Sequence, residues 1–140
     1  MSILNPYLNF PDTAKDAMTF YQSIFGGELT MSTFAELGAG DSVAADEAEW
    51  IMHSQLVTPA GYTLMASDTP KYRRKSEAPT ETYISLSGPQ ADNDQLRGYW
   101  TMLEDGAEVE QKLEVAPWGD AFGSLRDKFG QGWLINIAAA

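Results

Sequence analysis

The feature that most constrains this 140-residue chain is an internal repeat. A helical pattern runs over about Thr13–Phe25, with Ala14, Ala17, Met18, Tyr21, Ile24 and Phe25 on one face. Asp12 is placed to act as its N-cap, and Gly26-Gly27 stops it. A second helical pattern spans about Asn93–Glu104, with Leu96, Tyr99, Trp100 and Leu103 as its apolar stripe and Gly106 at its end. The two keep register: Tyr21 and Trp100 lie 79 residues apart, as do Gly27 and Gly106. Each helix follows a short alternating run, Leu4–Phe10 or Thr82–Ser87. Each precedes three more strand-like runs. In the first half these are about Glu28–Phe34, Trp50–Thr58 and Tyr62–Ser67; in the second, about Glu108–Glu114, Ser124–Asp127 and Trp133–Ala138. Pro59-Ala60-Gly61 and Gly130-Gln131-Gly132 supply the hairpin punctuation.

A repeat of this kind is read as two supersecondary units rather than one irregular fold. The chain is therefore expected to be α+β: two βαβββ modules in tandem, forming a cupped, mostly antiparallel sheet with helices outside. A single domain over 1–140 is expected, with module one at about 1–68, a Pro-rich and charged linker at about 69–81, and module two at about 82–140. A chain this long buries roughly 68% of its unfolded surface, enough for a core without covalent staples. The chain has no cysteine, which removes disulfides, thiolate nucleophiles and Cys-based metal sites. The start, Met-Ser-Ile-Leu-Asn-Pro, lacks the basic and apolar regions of a signal peptide, and no apolar run is long enough to span a bilayer. A cytoplasmic protein is expected. The net charge of −11 repels phosphates and anionic lipid, so neither nucleic acid nor membrane is an expected partner.

Local motifs narrow the reading. Asn5-Pro6-Tyr7-Leu8-Asn9-Phe10 opens the chain, and Phe20-Tyr21 is followed by Phe25-Gly26-Gly27-Glu28. Ile51-Met52-His53, Leu64-Met65-Ala66-Ser67-Asp68, Trp118-Gly119 and Asp127-Lys128-Phe129-Gly130 leading to Trp133 come after them in order. Together these resemble the vicinal oxygen chelate superfamily of glyoxalases, bleomycin-resistance proteins and extradiol dioxygenases, in its PhnB-like branch. That branch often carries the label of a demethylubiquinone methyltransferase. The sequence has no Gly-rich strand-to-helix turn for a nucleotide cofactor, and no alternating βαβ units of a doubly wound sheet.

The resemblance implies where a metal would sit. Metal-dependent members place His, Glu or Gln on the first and last strand of each module. The matching positions here are Pro6 or Asn5, Met65 or Ala66, Tyr83, and Asn136. Proline and alanine offer no side-chain donor, methionine is soft, the phenol is protonated near neutrality, and the amide is a weak neutral donor. No metal and no other cofactor is expected. The resemblance also implies a homodimer.

Candidate residues remain. His53 is the only histidine and a candidate catalytic group, since its charge changes near neutral pH; the plainer reading is a strand histidine satisfied by a neighbour. Tyr83 is the second catalytic candidate. Tyr83, Ser85 and Ser87 share one strand face by alternation, and Asn136, with Leu134 and Ala138, would meet them as a polar floor for a small ligand. Trp118, Phe122 and Trp133 could wall a pocket or anchor a core. Lys71, Arg73, Arg74 and Lys75 read as a solvated basic loop, and Asp41, Asp46, Glu47 and Glu49 as a solvated acidic one; the two could also pair across a dimer interface. Asp68, at a strand end, either caps the turn after it or does chemistry.

Three functions follow. The first is a metal-independent small-molecule-binding protein with a ligand cup between the two modules, its ligand held by Tyr83, Ser85, Asn136, Trp118 and Phe122. The second is a metal-dependent enzyme of glyoxalase or dioxygenase type with unusual ligands. The third is a structural dimer with a vestigial cup.

Overall fold

The computed structural model describes residues 2–74 and 82–140. The chain divides into two compact units, Met1–Glu77 and Ala78–Ala140. In the first, β1 (Tyr7–Phe10), α1 (Ala14–Phe25), β2 (Glu28–Thr33), β3 (Ile51–Val57) and β4 (Thr63–Asp68) follow in order. In the second come β5 (Tyr83–Gly88), α2 (Asn93–Leu103), β6 (Glu108–Val115), β7 (Ala121–Arg126) and β8 (Gly132–Ile137). The sheets have the same topology, β1-β4-β3-β2 and β5-β8-β7-β6. In each, the first strand pairs parallel with the last, and the remaining pairings are antiparallel. The two-module α+β reading is thus the observed fold.

Strand parity sets what each face carries. In the first unit Leu8, Phe10, Leu56, Leu64 and Ala66 are buried on one face. The stripe of α1 (Ala14, Ala17, Met18, Tyr21, Ile24, Phe25) is buried with them. In the second unit Leu86, Leu125, Trp133, Ile135 and Ile137 form the buried face, with Leu96, Tyr99, Trp100 and Leu103 of α2. Each unit therefore has its own apolar layer between helix and sheet, and each sheet has an opposite, open face.

Most strand ends fall within a residue of the sequence reading, with two exceptions. β1 begins at Tyr7 and not at Leu4, because Leu4 is exposed and lacks a pairing partner in the register. β7 begins at Ala121 and not at Ser124: Ala121 pairs with Ile137 and Phe122 with Asn136. Phe122, which lay just before the expected strand, is a strand residue. Gly27 sits at φ 98°, and a Cβ there would lie 2.0 Å from the Val57 carbonyl oxygen. The helix-stopping glycine is thus required by the close approach of the end of β3 as much as by its own backbone.

Helix α1 is not capped by Asp12. Its N-cap is Thr13, with no side-chain bond. The Ala14 N–H instead donates to Asp68 Oδ1 at 2.8 Å, and the Ile51 N–H donates to Asp68 Oδ2 at 2.9 Å. Asp68 is 2% exposed. It serves the helix start of its own unit rather than the turn that follows it. Burial, above all, pushes its carboxyl above the ordinary 3.8, against the two backbone donors that favour the charged form.

In the charged loops Asp41, Asp46, Glu49, Lys71 and Arg73 are exposed as expected, while Glu47 and Arg74 are not. Glu47 is buried, its carboxylate accepting the N–H groups of Ala44 at 3.0 Å and Lys71 at 2.9 Å. Lys71 Nζ lies 3.7 Å from Asp46 within the same unit. The Arg74 guanidinium stacks 5.5 Å from the Trp50 ring centroid and donates to the Thr69 and Pro11 carbonyls. The acidic and basic stretches thus meet inside one chain. Lys75 and most of the expected linker lie outside the described residues. Among the described residues no helix is long and apolar enough to cross a membrane.

Candidate ligand-binding face

The open face of the second sheet carries three rows of side chains, fixed by register. Ser87, Asn136, Phe122 and Glu114 form one row; Ser85, Leu134, Ser124 and Gln111 the next; Tyr83, Gly132, Arg126 and Glu108 the third. The expected grouping of Tyr83, Ser85, Ser87, Leu134 and Asn136 on one face is observed. Ala138 lies just past the end of β8. Trp133 is on the other face, 1% exposed, with Nε1 donating to the Asp127 carboxylate at 2.9 Å. It is a core residue and not a pocket wall, because its position on β8 has the parity of Ile135 and Ile137.

At one end of this face Tyr83 is tightly held. Its hydroxyl donates to Glu110 Oε1 at 2.6 Å. The Arg126 guanidinium lies 4.9 Å from the ring centroid and its Nε is 3.8 Å from Glu110 Oε2. The ring lies over Gly132, where a Cβ would come within 2.6 Å of Tyr83 Cδ2. Glycine at this position makes room for the ring. The Glu110 hydrogen bond, foremost, holds the phenol above its ordinary 10.0, loss of hydration adds to this, and the Arg126 charge opposes it. Sequence reasoning singled out Tyr83 but missed Glu110 and Arg126. Glu110 lies where β6 slips register against β7, between Val109 and Gln111, so strict alternation could not assign it a face.

At the other end Asn136 Nδ2 donates to Asp120 Oδ2 at 3.1 Å, and the Ala139 N–H donates to Asp120 Oδ1 at 3.0 Å. These bonds, the Asn136 one first, hold the Asp120 carboxyl below 3.8. Beside them a groove of about 300 Å³ runs along the β6–β7 hairpin, lined by Gln111, Glu114, Val115, Pro117, Trp118 and Phe122 among others. The Trp118 and Phe122 rings meet edge to face, with centroids 5.9 Å apart.

In the first unit, His53 lies on the open face, with the parity of Gln55 and opposite to Ser54 and Leu56, which are fully buried. Its Nδ1 is 3.2 Å from the Tyr7 hydroxyl, with ring centroids 5.9 Å apart. Ser67 and Asn9, on the same face, are joined at 3.5 Å. His53 and Tyr83, the two catalytic candidates, belong to different units and have different partners.

The positions implied for a metal do not fit one. The Pro6 carbonyl accepts the Met65 N–H at 3.1 Å. Ala66 is fully buried on the helix-side face. The Tyr83 hydroxyl is committed to Glu110 and the Asn136 amide to Asp120. Among the described residues no three His, Asp or Glu side chains converge as a metal site would require.

Comparisons with known proteins bear on the fold and family. The chain is 27% identical over 143 residues to the protein YjdN of Escherichia coli strain K12, covering 96% of this chain and 94% of that one. The crystal structure of protein PA1353 from Pseudomonas aeruginosa superposes with a TM-score of 0.81 at 29% identity, covering both chains fully. A PhnB protein from Bacillus cereus, described as a putative 3-demethylubiquinone-9 3-methyltransferase, superposes with a TM-score of 0.73 at 18% identity, over 98% of this chain and all of that one. Fosfomycin-resistance and glyoxalase-related proteins share the fold at lower identity, one of the former complexed with Mn(II). The two-module fold is that of the vicinal oxygen chelate proteins. The family described as 3-demethylubiquinone-9 3-methyltransferase matches residues 2–136, and the chain belongs to that PhnB-like family.

Proposed function

We propose that this chain is a metal-independent small-molecule-binding protein of the cytoplasm, acting as a homodimer, with its ligand lying on the open face of the second sheet. The observation that carries the reading is the composition of that face. Tyr83 is fixed at one end by Glu110 and Arg126, Asn136 is fixed at the other by Asp120, Ser85 and Ser87 lie along β5, and Trp118 and Phe122 wall a groove at the edge. A few oriented polar groups beside aromatic walls suit a small amphipathic or aromatic molecule. Burial of its apolar area, worth about 25 cal/mol per Å², would drive binding, and the polar groups would orient it.

The family description names a methyltransferase. The open face offers no Gly-rich turn at a helix start to hold a nucleotide-like methyl donor, so the binding reading takes precedence. A second reading rests on the Tyr7–His53 pair, in which an imidazole and a phenol within hydrogen-bond reach could move a proton.

Elemental mass spectrometry after incubation with zinc, nickel, iron(II) and manganese and then dialysis tests metal independence. Retention far below one metal per chain is expected. Near-stoichiometric retention, lost on His53→Ala or Asn136→Ala, would replace this reading with a metal-dependent enzyme. A thermal-shift screen of small amphipathic and aromatic compounds tests binding: compounds that stabilise the wild type are expected to stabilise Asn136→Ala and Tyr83→Phe less. Sedimentation equilibrium reads the dimer.

A further inference from the structure

We infer that the groove along the β6–β7 hairpin takes an organic cation, a quaternary or substituted ammonium group; this rests on the small-molecule-binding reading and names its ligand class. Trp118 and Phe122 meet at an interplanar angle of 61°. Two rings so inclined present a corner with π-faces on two sides. Aromatic faces carry negative quadrupole potential and attract cations, most strongly where water is excluded. Glu114 lines the same groove and stands opposite Phe122 in the strand register. A carboxylate therefore borders the aromatic corner. Asp120 is tied to Asn136, the other register partner of Phe122, and its hydrogen bonds hold it ionised.

No lysine or arginine lines the groove. Lys112, near it in sequence, is not among the lining residues. An anion would meet two π-faces and a carboxylate, with the Gln111 amide and the Trp118 indole N–H as the lining side-chain donors able to reach it. A neutral molecule would gain area alone. A hard metal ion would find one lining carboxylate and otherwise amide and apolar surface. An organic cation gains from the rings, the carboxylate and the net charge of −11 together. Trp118 is 64% exposed and Val115 72%, so a trimethylammonium-sized group can reach the rings without moving the backbone.

Choline and its neutral carbon isostere dimethylbutanol have the same shape and differ in charge. Each is titrated into the full-length protein while the indole N–H resonance of Trp118 is followed, identified by its loss in Trp118→Phe. Choline is expected to shift it saturably, with a Kd at least about tenfold below that of the isostere. Glu114→Gln, which removes an exposed charge, is expected to raise the choline Kd about two- to fivefold and leave that of the isostere in place. Trp118→Ala, at an exposed position that does not endanger folding, lacks the indole signal and is read by isothermal titration calorimetry beside the wild type; it is expected to abolish binding of both. Equal binding of the two probes overturns the cation assignment and leaves an apolar slot, with the small-molecule reading intact. No response to either probe overturns it as well. If, in that case, Trp118→Ala also lowers the sedimenting mass, a second copy of this chain occupies the groove. The small-molecule reading falls only if the thermal-shift screen also finds no compound sensitive to Asn136→Ala.

Discussion

Tyr83 shows how little of a residue's chemistry is its own. Its phenol is set by one carboxylate, one guanidinium and one missing side chain, those of Glu110, Arg126 and Gly132. Because the folded phenol titrates above 10.0, the folded state keeps a proton that the unfolded chain loses. Its contribution to stability is complete below pH 10.0 and is lost as pH rises through the folded pKa. Ultraviolet titration of the wild type, corrected by subtracting Tyr83→Phe, should place Tyr83 above 10.0, and Glu110→Gln should bring it down. A titration of Tyr83 unchanged by Glu110→Gln would show that the hydrogen bond does not set it. Tyr83, Asn136 and their shared face were legible from alternation alone. Two of the partners that set their chemistry were not, since Glu110 lies at a register slip and Asp120 lies in the turn before β7. Periodicity carries no information at either place.

Elements are tied at their ends by side chains remote in sequence. The repeat located the helices and most strand ends to within a residue or so, since each rests on local periodicity, while the starts of β1 and β7 lie three residues away. The cap of α1 was missed because its ligand, Asp68, comes from β4, beyond the reach of an N-terminal capping pattern. Replacing Asp68 by Ala leaves the buried N–H groups of Ala14 and Ile51 without acceptors. A loss of roughly 2–6 kcal/mol is expected, taking about 1–3 kcal/mol per unsatisfied group, and urea denaturation measures it. The pH dependence has an unusual sign. Since burial raises this carboxyl above 3.8, the folded state holds its proton longer than the unfolded one. Its contribution is complete below pH 3.8 and falls as pH rises through the folded pKa. In Asp68→Asn that slope should disappear from stability measured against pH. For Asp120, whose carboxyl is held below 3.8, the sign reverses: stability is present above pH 3.8 and is lost as pH falls through its folded pKa.

At the scale of the whole molecule, charge was legible and remains consequential. A net charge of −11 gives a self-repulsion that opposes compaction and that salt screens. The thermal midpoint should therefore rise by a few degrees between about 10 mM and about 1 M sodium chloride, where the screening length falls from roughly 30 Å to 3 Å. Scanning calorimetry reads the shift, and a flat response would mean that the acidic groups are too dispersed to repel. The internal repeat also has a temporal side. In each unit the first strand lies at the sheet edge beside the last, so β1 has no backbone partner until β4 exists, more than fifty residues later. A chain emerging from the ribosome can form the β2–β3 hairpin and α1 early, yet the first strand must wait, unpaired, for the end of its own unit. The second unit sets the same delay again between β5 and β8. Synthesis thus meets two separate waiting periods, each ended by the arrival of a single strand.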